Sequence, residues 1–321
     1  MPSAPGLGLD DVRAARGRIQ PYIHRTPVFT STALDALCGG RVFFKCENFQ
    51  RSGSFKARGA LNAVLSLDEA TARRGVATHS SGNHGAALAL AAATRGIPAH
   101  VVSPRTAPQA KLDNIRRYGG VLTLCEPTQQ AREAAVERLI VETGATLVHP
   151  YENPRVQAGQ GTAALELLEE VPDLDLLLCP VGGGGLMGGS AVVAKALRPG
   201  MWVVGVEPAG ADDAARSVAR GEITPVTQPC SVADGLLATL KPGTFELLRA
   251  HVDAIVTVPD EAILGAMRKV WEILKIVIEP SSAVPLAALL TGTVQAQGAR
   301  TGVIFTGGNV DLDRLPWQIA D

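Results

Sequence analysis

Long hydrophobic runs are missing from this chain of 321 residues: no apolar stretch approaches the roughly 20 residues a membrane-spanning helix needs. The opening segment, MPSAPGLGLDDVRAARGRI, has no apolar core of the signal-peptide kind, and its early carboxylates argue against a transit peptide. Cysteine is scarce. The five residues Cys38, Cys46, Cys125, Cys179 and Cys230 form no CxxC pair, which argues against a disulfide framework or a zinc site. These absences predict a reducing, cytoplasmic setting. An excess of one charge is missing too. With 30 basic and 31 acidic residues the formal net charge is −1, so nothing draws the whole molecule to nucleic acid or to an anionic membrane. The expected partner is a small molecule. No internal repeat, low-complexity tract or clear linker interrupts the chain.

What is present is an alternation of short apolar runs and longer Ala-rich amphipathic runs. Strands are expected at Val42–Cys46, Val76–His79, Ala99–Ser103, Val121–Leu124, Leu176–Val181, Trp202–Val206 and Val303–Thr306. Several are apolar on successive residues, as strands covered on both faces are. Helices are expected at His84–Arg95, Arg132–Thr143, Leu186–Leu197 and Glu261–Leu274, with Gly96, Gly144 and Gly200 as stops after three of them. Strand, helix, strand in sequence predicts parallel sheets with crossover helices. Breaks near Ser66 and Leu147 would set residues 67–147 as a small domain inside a larger one made of 1–66 and 148–321.

Five segments carry chemistry. In Ser52-Gly53-Ser54-Phe55-Lys56-Ala57-Arg58-Gly59-Ala60, a lysine among small residues and one aromatic can be shielded from water, which lowers its pKa and makes its amine an imine-forming nucleophile. A lone lysine is otherwise a solvated surface group. Ser80-Ser81-Gly82-Asn83-His84-Gly85 follows an expected strand and opens a helix, a junction that binds anions or, more blandly, caps the helix. Cys179-Pro180-Val181-Gly182-Gly183-Gly184-Gly185-Leu186 lets successive amides converge on one phosphate. The same stretch satisfies GxGxxG at Gly183, Gly185 and Gly188, with Glu207 about 20 residues on, the spacing of a nicotinamide-dinucleotide fingerprint. Phe305-Thr306-Gly307-Gly308-Asn309 ends the last strong strand with a hydroxyl able to meet a ring nitrogen. Glu207-Pro208-Ala209-Gly210-Ala211-Asp212-Asp213 gathers three carboxylates and free carbonyls, either a hard-cation site or a solvated acidic loop.

Taken together and in this order, SFKARGA, SSGNHG, GGGGL and GGNVDL resemble the fold-type II pyridoxal-phosphate enzymes, in particular their serine/threonine dehydratase and serine racemase group. The resemblance runs from Arg25 to Leu312. It implies an α/β protein of two open parallel-sheet domains, tryptophan synthase beta-like, working as a homodimer. Lys56 would carry pyridoxal 5′-phosphate as a Schiff base with Phe55 near the ring. Asn83 would hold the 3-hydroxyl, Gly182, Gly183, Gly184, Gly185 and Leu186 would wrap the phosphate, and Thr306 would face the pyridine nitrogen. Ser80, Ser81, Gly82, His84 and Arg132, with His149 nearby, would face the amino-acid substrate. Ser81 would serve as acid/base on the side of Cα opposite Lys56. Glu207, the carbonyl of Ala211 and Asp213 match a Mg²⁺ or Ca²⁺ site, whereas Ala86 and Tyr151 replace residues of the racemases' nucleotide site. The activity implied is dehydration of L-serine, L-threonine or a related 3-hydroxy amino acid to a 2-oxo acid and ammonia, with racemase activity beside it or in its place. An NAD(P)-dependent oxidoreductase and a non-catalytic ligand sensor are the other classes.

Overall fold

The computed structural model describes residues 6–80, 82–107 and 109–318, without the side chains of Ala110 and Gln129. Its ten strands are β1 (Val28–Phe29), β2 (Arg41–Cys46), β3 (Val76–His79), β4 (Ala99–Pro104), β5 (Val121–Cys125), β6 (Thr146–Leu147), β7 (Leu176–Pro180), β8 (Trp202–Pro208), β9 (Ala254–Val258) and β10 (Arg300–Phe305). They form two sheets. The larger has the order β1-β2-β10-β7-β8-β9 and the smaller β5-β4-β3-β6. Every pairing is parallel except β1 on β2, where Val28 faces Lys45 and Phe29 faces Phe44 in an antiparallel edge. The molecule is thus an α/β protein of two parallel-sheet domains.

The apolar runs do what strands covered on both faces require. On β2, Val42, Phe44 and Cys46 join one core while Phe43 joins the core on the opposite face. On β7, Leu176 and Leu178 point one way and Leu177 and Cys179 the other. On β10, Val303 and Phe305 oppose Ile304. The Phe44 and Phe305 rings stack at 4.7 Å across neighbouring strands. Helices cover both faces, which is why these strands read as continuous rather than alternating.

Each expected helix begins one to three residues earlier than its apolar pattern, at Asn83, Gln129, Gly185 and Asp260. First-turn residues face solvent or a ligand and carry no periodicity. Gly96 and Gly144 are left-handed C-caps, with φ 71° and 69°. Gly200 is not a stop. The helix Gly185–Leu197 ends on Arg198 at φ −140°, because Pro199 cannot continue it.

One helix, Pro154–Glu170, fixes the rest of the centre. A Cβ on Gly159 would lie 2.6 Å from the Gly59 Cα, so the helix Lys56–Leu65 touches it backbone to backbone. On its other side a Cβ on Gly189 would lie 2.4 Å from Gln157 O, which brings in the helix Gly185–Leu197. The segments bearing Lys56 and the four glycines are therefore referenced to one rod. A buried ion network adds to this. Arg58, fully buried, bonds Glu47 at 2.7 and 2.8 Å and Glu166 at 2.8 Å from each of two nitrogens, and Lys45 bonds Glu166 at 2.6 Å. Two cations face two anions, the balance that makes charges tolerable in a core.

Candidate active site

Parallel strands deliver their C-terminal ends to one cleft. The Lys56 segment follows β2, Ser80 and Asn83 follow β3, His149 follows β6, the glycines follow β7 and Thr306 follows β10. Two of these segments are stitched directly: Phe55 N donates to Thr306 O at 2.9 Å, Gly308 N to Gly53 O at 3.0 Å, and Ser54 bridges Gly307. Ser52, buried at φ 61° and ψ 8°, holds a left-handed conformation uncommon for a residue with a Cβ. It turns the chain so that Lys56 opens the next helix.

The Lys56 amine lies 3.1 Å from the carbonyl of Pro150 and 5.0 Å from the centre of the Phe55 ring. Burial pulls its pKa from 10.5 down to about 8, against the opposing pull of Glu279. The neutral form, the one that attacks a carbonyl, is then far more populated near physiological pH than in an ordinary lysine, although the protonated form still predominates.

The amides of Gly182, Gly183, Gly184 and Gly185 have no acceptor among the described residues. They open the helix Gly185–Leu197, whose N-terminus favours negative charge. The absence of side chains is enforced by neighbours. A Cβ on Gly183 would stand 2.3 Å from Tyr151 Cδ1, and one on Gly182 2.9 Å from Leu236 Cα. Gly184, at φ 82°, needs the left-handed region as well. A cradle of such amides has the form that suits a compact phosphate.

Glu207 does not act as a dinucleotide acid here. Its carboxylate is fully buried and accepts from Ala214 N at 3.1 Å and Ala215 N at 2.7 Å, so it is engaged inside the fold and withheld from any ribose.

Thr306 is buried, with its hydroxyl 3.0 Å from Ser282 Oγ. Ser282 Oγ also donates to Gly307 O at 2.6 Å and accepts from Gly307 N at 2.7 Å. Asn83 lies between Glu279, whose Oε1 accepts from Asn83 Nδ2 at 2.7 Å, and Asn309, whose Nδ2 donates to Asn83 Oδ1 at 2.8 Å.

Comparison with known proteins agrees with this chemistry. The profile of the family described as "Pyridoxal-phosphate dependent enzyme" matches residues 19–307. The chain belongs to that family. It is 54% identical over 309 residues to a beta-hydroxyaspartate dehydratase of Paracoccus denitrificans, covering 96% of this chain and 98% of the relative. It is 48% identical over 315 residues to a serine racemase of Oryza sativa subsp. indica, covering 97% and 93%. Among solved structures, maize serine racemase superposes with a TM-score of 0.94 at 46% identity, covering 98% of this chain and 96% of the other. A threonine deaminase of T.th. superposes with a TM-score of 0.91 at 44% identity, covering 95% and 99%. The fold is that of the fold-type II pyridoxal-phosphate enzymes.

The residues present suit that cofactor. A part-buried amine with a depressed pKa fits its aldehyde, and a row of amides without acceptors among the described residues, which no Cβ may enter, fits its phosphate. When bound, pyridoxal phosphate stabilises negative charge developing at a substrate Cα.

The substrate-side residues are less uniform. Ser81 lies outside the described residues. Ser80 Oγ accepts from Gly82 N at 3.3 Å. The His84 ring is buried with Nε2 3.0 Å from Val148 O and with Nδ1 unpartnered among the described residues, and burial pushes its pKa down to about 3, so the ring is neutral near physiological pH. Arg132 Nε is buried with no partner among the described residues; burial first, with the Arg132 charge adding to it, lowers the pKa of His79, whose ring meets His149 at 5.8 Å. The Tyr151 hydroxyl donates to Thr239 O at 2.9 Å.

A cavity of about 250 Å³ adjoins Asn83, lined also by Lys111, Arg117, Asp234, Glu279 and Asn309. Among its lining residues Lys111 and Asp234 form an ion pair, joining the helix Gln109–Arg117 beside the smaller sheet to the larger domain. Sequence reasoning missed Glu279, Ser282, Lys111 and Asp234. Glu279-Pro280-Ser281-Ser282 reads as a plain helix start, and only tertiary packing turns it toward the cleft.

At the expected cation site, burial first, with Asp213 adding to it, raises Glu207 to about 8, and burial raises Asp213 to about 6. Asp213 Oδ2 accepts from Leu240 N at 2.9 Å. Among the described residues no cluster of three or more His, Cys, Asp or Glu side chains forms a metal site. The expected set has only two side chains, its third ligand being a carbonyl. Burial raises both carboxyls, and the Asp213 charge adds to the shift of Glu207.

Proposed function

We propose that this enzyme is an ammonia-lyase that dehydrates a 3-hydroxy amino acid to a 2-oxo acid and ammonia. The observation that carries the reading is the buried Thr306–Ser282 hydroxyl pair, where the family resemblance puts the pyridine nitrogen. A neutral hydroxyl leaves that nitrogen largely unprotonated, which tempers the electron sink and favours rapid loss of a β-hydroxyl. The Lys56 amine would take the substrate Cα proton as general base. The β-hydroxyl leaves with a proton as water, and the released enamine tautomerises and is hydrolysed, so that water lost is water regained. The dehydratase and racemase names of the relatives support both lysis and racemisation. Ser81 on the second face of Cα would supply the latter.

L-serine, L-threonine and 3-hydroxyaspartate are the substrates in view. Of these, 3-hydroxyaspartate accords best with Arg132, a cation whose buried Nε has no partner among the described residues and whose charge acts on His79. Incubation with each, scored for ammonia and 2-oxo acid and with chiral analysis of remaining substrate, tests the reading. Turnover of at least one is expected. A protein with a borohydride-sensitive near-visible chromophore that turns over none of them would overturn it.

The same reading takes the enzyme as a cytoplasmic homodimer, with residues 67–147 as the small domain. Among the described residues no helix is long and apolar enough to cross a membrane. It also places Mg²⁺ or Ca²⁺ at Glu207, Ala211 and Asp213. Chelation is expected to lower the melting temperature by a few degrees and readdition to restore it. A cation at one hundred times its Kd contributes about 2.7 kcal/mol, and 1 kcal/mol shifts a midpoint by roughly 2–4 °C in a protein somewhat smaller than this. In Glu207→Gln the response should vanish. A melting curve indifferent to complete metal removal would remove the cation from the proposal.

A further inference from the structure

An asparagine amide offers a ligand one of two opposite faces, Nδ2 donating or Oδ1 accepting. For Asn83 the choice is made by a chain of contacts anchored on the main chain. Asn309 Nδ2 lies 2.8 Å from Ser52 O, and a carbonyl only accepts, so the Asn309 atom there is the nitrogen. Its other N–H is 2.8 Å from the Asn83 side chain, which must therefore present Oδ1 on that side. Asn83 Nδ2 then faces Glu279 Oε1 at 2.7 Å. One Asn83 N–H remains without an acceptor among the described residues.

Glu279 is an unusual residue to find in this role. It is the N-cap of the helix Pro280–Leu290, where an acidic side chain would ordinarily accept from its own helix, yet it makes no side-chain cap bond. It is 3% exposed, and its neighbourhood is tight: a Cβ on Gly307 would stand 2.7 Å from Oε1. Burial raises its pKa to about 7, with Lys111 and Lys56 pulling down and Asp234 pushing up. A buried carboxyl is costly to keep unless its hydrogen bond matters.

We propose that Glu279 and Asn309 are positioning residues for Asn83, holding its amide so that an N–H, and not the carbonyl oxygen, faces the 3-oxygen of pyridoxal phosphate. The inference rests on Asn83 meeting that oxygen, as the family resemblance implies. An N–H there favours the unprotonated oxygen, whereas a carbonyl there would require the oxygen to keep its proton. The two states of the bound cofactor absorb at different near-visible wavelengths, so orientation has an optical signature that a purely structural role would leave alone.

The test uses holoenzyme of wild type, Asn309→Asp, Glu279→Ala and Glu279→Gln. Near-visible spectra, pyridoxal-phosphate affinity of the stripped proteins and melting temperatures are recorded. Asn309→Asp has no N–H to give, so Asn83 is expected to turn over. Its spectrum should move toward the shorter-wavelength form and its cofactor affinity fall about tenfold, the worth of one hydrogen bond. Glu279→Ala should move the same way. Glu279→Gln keeps an acceptor oxygen and should stay close to wild type in both readouts. Should Asn309→Asp fail to fold, the Glu279 pair decides alone. Wild-type spectra and affinity in Glu279→Ala would overturn the proposal. So would a Gln variant as damaged as the Ala variant, since charge and not orientation would then be at work. If wild type itself shows no borohydride-sensitive chromophore, the cofactor assignment fails instead, a result separate from these.

Discussion

Replacing Lys56 by alanine is expected to leave a folded protein that retains no pyridoxal phosphate through borohydride reduction and turns over no amino acid. Folding should survive because Lys56 is the first residue of its helix and its amine makes one hydrogen bond among the described residues, to Pro150 O. Alanine is the best helix former. Activity should fall below detection, since removing a positioned general base alone costs roughly 10²–10⁴-fold and here the same amine is also the attachment point. Competing lysines are disqualified by their surroundings. Lys111 borders the cavity, but its ion pair with Asp234 belongs with a pKa raised above the usual lysine value despite burial, so its amine stays protonated. Lys45 is fully buried and bonded to Glu166 and to Thr26 O. Reduction, digestion and peptide mapping of wild type should place the pyridoxyl group on Lys56, and a label elsewhere would sink the assignment. The lowered pKa adds a second check. The neutral amine is the nucleophile, so cofactor capture by stripped protein should quicken as pH rises through about 8, not through 10.5.

Much of this fold was legible because its strands are buried on both faces. Continuous apolar runs such as Leu176-Leu177-Leu178-Cys179 need no partner knowledge to be read as central strands. The two-residue β1 and β6 are too short to carry a period. Residues Ala254–Val258 of β9 are mostly half-buried and sit at the sheet edge. The helix Pro154–Glu170 hides its role in Gly159 and Gly161, which lower local helix propensity and are present because neighbouring backbones approach there.

The site divides in the same way. Lys56, the glycine loop and Thr306, which the strands they follow bring to one cleft, sit where close neighbours constrain consecutive residues, and a constraint on consecutive residues leaves a motif. Glu279, Ser282 and the Lys111–Asp234 pair were not. Each reaches the cleft alone from an element whose other residues serve packing, so no local pattern marks it. Glu207 was legible as an acid and ambiguous as to purpose. Its burial against Ala214 and Ala215 removes the ribose role that spacing alone had allowed.

Ser81→Ala is expected to suppress racemisation, and elimination from D-substrates, by roughly 10²–10⁴-fold while sparing elimination from L-substrates. The asymmetry follows from geometry at Cα. Elimination from an L-substrate needs a base on the Lys56 face and departure of the hydroxyl. Inverting the centre needs a proton removed on one face and returned on the other, and starting from a D-substrate needs the second face first. We propose Ser81 for that second face. A capping role for Ser81 would instead cost about 1 kcal/mol of stability and leave stereochemistry untouched. The cap of the helix Asn83–Arg95 falls on Gly82, which has no side chain to offer, and Ser80 Oγ already accepts from the Gly82 amide. Chiral chromatography of reactions started from each enantiomer of the preferred substrate decides the matter. If wild type shows no racemisation and Ser81→Ala slows both eliminations alike, Ser81 is a binding residue of a plain dehydratase and the second face of Cα has no proton donor of its own.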